Sequence, residues 1–154
     1  MSSTDVGSAA STETAELSTI DMGLEVVTLP VSDVDRAKRF YQSLGWRFDI
    51  DLVVSDDRRT VQFTPTHSQC SIHFGKGLTD AEPGSADRLI LAVKDIDSAR
   101  DDLISRGVDV SEVSGPDPEQ GRSYVTTASF SDPDGNGWLL QEIETRLPGR
   151  EWED

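Results

Sequence analysis

The feature that most constrains this chain is a repeat within it. Residues 31–45 read VSDVDRAKRFYQSLG and residues 93–107 read VKDIDSARDDLISRG. They align without a gap at an offset of 62, with six identities in 15 positions: Val31/Val93, Asp33/Asp95, Asp35/Asp97, Ala37/Ala99, Ser43/Ser105 and Gly45/Gly107. Two copies of a unit near 60 residues suit a duplicated supersecondary module better than a solenoid.

Each copy carries the same local signals. A β-like run precedes it, Leu24–Leu29 in the first copy and Leu89–Val93 in the second. Asp33 and Asp95 stand where an N-cap belongs, since a carboxylate accepts the free amide hydrogens of a first helical turn. Apolar residues then recur at spacings of three and four: Val34, Ala37, Tyr41 and Leu44, then Ile96, Ala99, Leu103 and Ile104. Gly45 and Gly107 supply the left-handed position that ends each helix. Further strands are expected at Trp46–Val54, Thr60–Phe63 and Cys70–Phe74, and at Val108–Val113, Tyr124–Phe130 and Gly137–Ile143, with turn residues between them. The pattern is βαβββ twice, which predicts an α+β fold.

Composition bounds the rest. The 154 residues suit one domain. Residues 1–19 are rich in Ser, Thr and Ala and read as a disordered tail. Residues 20–145 read as the domain, with modules at about 20–80 and 86–145, and residues 146–154 as a second tail in which Trp152 either stays solvated or docks. The net charge of −15 repels phosphate backbones and anionic lipid, so neither nucleic acid nor membrane is an expected partner. A single cysteine, Cys70, and no secretory signal point to the cytoplasm.

Three passages resemble the vicinal oxygen chelate superfamily of glyoxalases, extradiol dioxygenases, fosfomycin-resistance enzymes and bleomycin-binding proteins. They are Leu29-Pro-Val-Ser-Asp-Val-Asp-Arg-Ala with Phe40-Tyr41 and Leu44-Gly45, the repeated 93–107 passage, and Phe130-Ser-Asp-Pro-Asp-Gly-Asn-Gly-Trp138. The resemblance implies two half-barrels around a cleft, with the helices on the outer faces. Many relatives pair as homodimers, and the resemblance allows the same here. It also implies four metal-ligand slots, on the first and last strand of each module. Here those slots hold Val26, Gln69, Arg88, and Leu139 or Gln141. Valine and leucine offer no lone pair and a guanidinium repels a cation, so neither metal nor other cofactor is expected.

The candidate site is therefore a small-molecule cleft lined by Val26, Gln69, Arg88, Tyr124, Leu139 and Gln141. His73 is the candidate acid or base, since imidazole titrates near neutrality. Arg88 either reaches solvent or holds an anionic or carbonyl oxygen. Gly115–Gly121 can cover the cleft mouth as a lid. The expected function is binding of a small organic molecule without the metal site. The alternative is a glyoxalase-type lyase or isomerase acting on a carbonyl compound.

Overall fold

The computed structural model describes residues 15–115 and 126–153. Residues 1–14 of the tail expected over 1–19, most of the proposed lid, and Tyr124 lie outside the described residues. Module one runs β1 (Val26–Thr28), α1 (Val34–Ser43), β2 (Arg47–Ser55), β3 (Arg58–Thr64) and β4 (Ser71–Lys76). Module two runs β5 (Leu89–Val93), α2 (Ile96–Ser105), β6 (Thr127–Ser131) and β7 (Gly137–Glu142). The class is α+β with two modules, as the repeat predicts.

The first sheet has the order β1-β4-β3-β2 and the second β5-β7-β6. In each, the strand before the helix pairs in parallel with the last strand, and the remaining pairs are antiparallel. Module two departs from expectation at Val108–Val113, which forms no regular strand. The chain there is held to β6 by the Ser111 N–H donating to the Ser129 carbonyl at 2.8 Å and by a bridge between Ser114 and Thr127. Val108 and Val110 are nonetheless buried, so the alternation that suggested a strand serves the core instead.

Both caps form as the repeat requires. Asp33 accepts from the Arg36 N–H and Asp95 from the Ser98 N–H, at 3.0 and 3.2 Å. Asp35 and Asp97 place further negative charge in the first turns, where the helix dipole favours it. Gly45 and Gly107 close the helices at φ +79° and +88°, a region that side chains with a Cβ rarely adopt. Of the apolar stripe on α2, Ile104 faces outward and is 43% exposed, whereas Ile96 and Leu103 are buried.

The helix-covered faces of the two sheets share one core. Tyr41 on α1 meets Phe63 and Phe74 of the first sheet and Trp138 of the second. Trp46 also packs edge-on against Trp138. Aromatic groups in these geometries add a specific term to the area they bury.

At the centre of this junction is a buried polar cluster. The Tyr41 hydroxyl donates to Asp132 at 2.8 Å and accepts from the Trp138 indole at 3.0 Å. Burial and the adjoining carboxylate push the phenol far above its usual range, so it stays protonated. Asp132 also accepts from the backbone N–H groups of Asp134 and Asn136. The Asn136 amide donates to Asp132 and to the Pro30 carbonyl and accepts from the Ala86 N–H. The Asp-Pro-Asp-Gly-Asn-Gly turn is thus the joint between the modules.

The end of the chain docks. The Trp152 indole donates to the Ile143 carbonyl at 2.9 Å and Arg146 lies over its ring. Of the two expectations for this residue, burial of the indole prevails.

Candidate functional site

Strand alternation decides which side chains leave the core. On β3 and β4, Val61, Phe63, Ile72 and Phe74 point to the helix, so Thr60, Gln62, Thr64, Ser71 and His73 occupy the opposite face, which corresponds to the concave face that the resemblance implies. The register carries this face across the sheet. Val26 pairs with Ser71, Thr28 with His73, and His73 with Gln62.

A β-bulge shapes the far side of the face. Phe48 pairs with Phe63 on the helix side, yet Ile50 pairs with Gln62 on the concave side, with Asp49 unpaired between them. An extra residue changes strand parity at that point. Asp49 lies opposite Phe48, with its carboxylate on the concave face, and the extra residue brings Ile50 onto the same face beside it. Leu52, which pairs with Thr60, follows on the same face.

The polar groups form a band. Asp49 accepts from the Arg47 guanidinium at 2.6 Å, from the Gln62 amide at 3.2 Å and from the Thr64 hydroxyl. The Thr64 and Ser71 hydroxyls are 2.6 Å apart. At the other side of the band, His73 Nε2 lies 2.6 Å from the Thr28 hydroxyl. Burial opposes the charge on Asp49, but the bonds from Arg47, Thr64 and Gln62 outweigh it and hold the carboxyl below its usual range. Burial lowers the His73 pKa, so the imidazole is neutral at pH 7.

On the second sheet, Trp138 and Leu140 are buried against the helix. Leu139 and Gln141 therefore share the concave face with Ile90, Ala92 and Thr127, their register partners. Glu142 has the parity of Leu140 and points to the helix side, where it accepts from the Ile96 N–H at 2.9 Å and caps α2.

The sequence-derived candidates thus fall into separate groups. Val26 and His73 share the first concave face, and Leu139 and Gln141 share the second. Gln69 is exposed in the bend before β4 rather than on a strand. Arg88 is exposed just before β5, at φ +55°. Cys70 is half-buried rather than enclosed, and burial pushes its thiol up. Among the described residues, no group of three or more His, Cys, Asp or Glu side chains is placed to hold a metal ion. The donors present do not fit the four-ligand pattern of the metal-using relatives.

Asp49, Gln62, Thr64 and Thr28 were missed in the sequence. An alternation rule runs through a bulge without registering it: counted from Phe48 it sends Ile50 to the helix side, away from the face that Ile50 shares with Asp49 and Gln62.

The model of the glyoxalase/bleomycin resistance protein/dioxygenase superfamily matches residues 23–140. This chain belongs to that superfamily. None of the curated proteins matches it. Among solved structures it is similar to TnmS3, an antibiotic binding protein from Streptomyces sp. CB03234, at 28% identity and TM-score 0.68, over 82% of this chain and 98% of that one. A glyoxalase/bleomycin resistance protein from the same strain is 29% identical with TM-score 0.63, over 77% and 99% of the two chains. A superfamily member from Sphaerobacter thermophilus DSM 20745 is 27% identical with TM-score 0.66, over 80% and 98%. Members of the superfamily thus share the duplicated module seen here. Among the described residues, no helix is long and apolar enough to cross a membrane.

Proposed function

We propose that this superfamily member binds a small organic molecule on the concave side of its sheets and does so without a resident metal. The observation that carries this reading is the mixed character of the first concave face. Two hydrogen-bonded pairs, Asp49–Gln62 and His73–Thr28, lie side by side next to Ile50 and Leu52, which are 41% and 49% exposed. Apolar surface with a few fixed polar groups is the usual make-up of a ligand site. The likeness to TnmS3, described as an antibiotic binding protein, supports the same class of function. Val26, Arg88 and Leu139 in the family's ligand slots support a site without metal. A homodimer fits the apolar residues left open on both sheets, Ile90 included at 53% exposure. The cytoplasm fits the lone cysteine.

A second reading, lyase or isomerase chemistry on a carbonyl compound, is favoured by one observation. His73 is neutral near pH 7 and held by the Thr28 hydroxyl, which suits a general base.

The test is metal analysis of protein purified without chelator, with thermal shift on titration of nickel, zinc, manganese and iron(II). No stoichiometric metal and no stabilisation are expected. Stoichiometric metal that is lost on Gln69→Ala or Gln141→Ala overturns the reading. Arg88→Ala is expected to weaken binding of 2-naphthoate by about 0.2–1 kcal/mol, the range for an exposed ion pair. Unchanged affinity returns Arg88 to solvent.

A further inference from the structure

The polar band does more than offer hydrogen-bonding capacity, because one of its members has no freedom of orientation. An ionised carboxylate only accepts hydrogen bonds. Asp49 is kept ionised by Arg47 and Thr64, so the Gln62 atom 3.2 Å from it must be the NH₂ group, as the structure has it. Turning the amide over would set two oxygens against each other. The Gln62 carbonyl oxygen is therefore directed away from Asp49, and among the described residues nothing donates to it.

The surroundings of that oxygen define what it can read. Gln62 is the register partner of His73 on one side and of Ile50 on the other. Ile50 and Leu52 give the face an exposed apolar strip next to it. A sheet face is broad and shallow, so a flat molecule covers more of the strip than a bulky one. A flat molecule lying there meets an acceptor at a fixed position, beside the Arg47 guanidinium, whose Nε and Nη2 are already taken by Asp49 and Thr64.

We propose that Gln62, with its amide oriented by Asp49, selects planar aromatic ligands that carry a hydroxyl or ring N–H donor. Gln62 touches the ligand. Asp49 is a positioning residue, and the bulge in β2 sets the apolar Ile50 beside it on the same face. This inference rests on the binding reading above and names its ligand class.

Two probes test it, 2-naphthol and its methyl ether 2-methoxynaphthalene, in which an O–CH₃ replaces the donor, titrated into ¹⁵N-labelled full-length protein. Amide shifts of Ile50, Gln62 and His73 report both affinity and place of binding. The hydroxyl probe is expected to bind about tenfold more tightly, the size of one partly exposed hydrogen bond. Gln62→Leu is expected to abolish this preference while leaving 2-methoxynaphthalene bound at least as well. Asp49→Asn is expected to reduce it to about twofold, because asparagine both donates and accepts and so lets the neighbouring amide turn over. A purely structural role for Asp49 would weaken both probes alike and leave their ratio unchanged. Equal affinities in the unaltered protein, or a preference that survives Gln62→Leu, overturns the inference while the binding site stands. Probes that shift none of these amides overturn both.

Discussion

The two helices begin from the same residue in nearly the same backbone conformation, yet the sheets they cover differ. Asp33 has φ −135° and ψ 106°, and Asp95 has φ −136° and ψ 107°. The sheet of module one has four strands, one of them nine residues long and interrupted by a bulge. Among the described residues, the sheet of module two has three regular strands, and an irregular segment runs where a fourth is expected. Charge has diverged as well. Residues 20–80 hold seven basic and nine acidic side chains, and residues 86–145 hold five and 13. After duplication, the helix entry and exit stayed under one constraint, the satisfaction of end groups and the left-handed glycine. The concave faces were free to specialise. Module one carries an ionised carboxylate and a histidine on its face, whereas module two presents Ile90, Ala92 and Leu139 with the neutral Gln141 and Thr127.

The comparison breaks first at the joint. Asp132→Ala would leave the Tyr41 hydroxyl, the Asn136 amide and two backbone N–H groups without their acceptor. A loss of about 3–5 kcal/mol is expected, as for removal of one partner from a buried charged network. Chemical denaturation followed separately through tryptophan fluorescence and backbone circular dichroism should show one coincident transition at lower denaturant. Two separated transitions would mean that the modules are independently stable.

The helix entries sharpen it. Asp33→Ala and Asp95→Ala are each expected to cost about 1 kcal/mol, and to cost it equally. Unequal losses in urea denaturation would show that the matching cap geometry conceals different energetics. Glu142, which bonds the Ile96 N–H at the second helix only, is the first suspect for such a difference.

The smallest effect concerns acidity. In module one, His73 has a lowered pKa through burial, so the unfolded chain binds its proton more tightly. Stability should therefore fall as pH drops through the unfolded histidine range and below it. Asp51 is depressed by its bonds from Arg59 and Lys38, against the opposing effect of burial. Its contribution is present above the ordinary aspartate range and is lost only at far lower pH. His73→Gln should flatten the slope between pH 7 and 5 and leave the acid limb intact. An unchanged slope would assign the near-neutral dependence to some other group.

Much of the fold was legible because the repeat fixed the register of both helices and the last turn named the family. The resemblance pointed to Val26 and to Leu139 or Gln141, and strand alternation to His73; all four lie on faces away from the core. The bulge was not legible, since Phe-Asp-Ile carries no glycine or proline to mark it. Neither was the fate of Val108–Val113, where alternating apolar residues fill the core without joining a ladder. The bend at Gln69 escaped notice because one residue at a strand entry decides between face and solvent.

The reach of Asn136 has a consequence for how the chain comes to be folded. Its amide closes on the Pro30 carbonyl, 106 residues earlier. During synthesis the first module leaves the ribosome long before that partner exists, so Tyr41 waits with its hydroxyl unanswered and Trp46 without the indole it packs against. Long-range closures of this kind slow folding and leave apolar surface open while they are pending. Truncation anywhere before Trp138 should therefore yield an aggregating fragment rather than a smaller soluble domain.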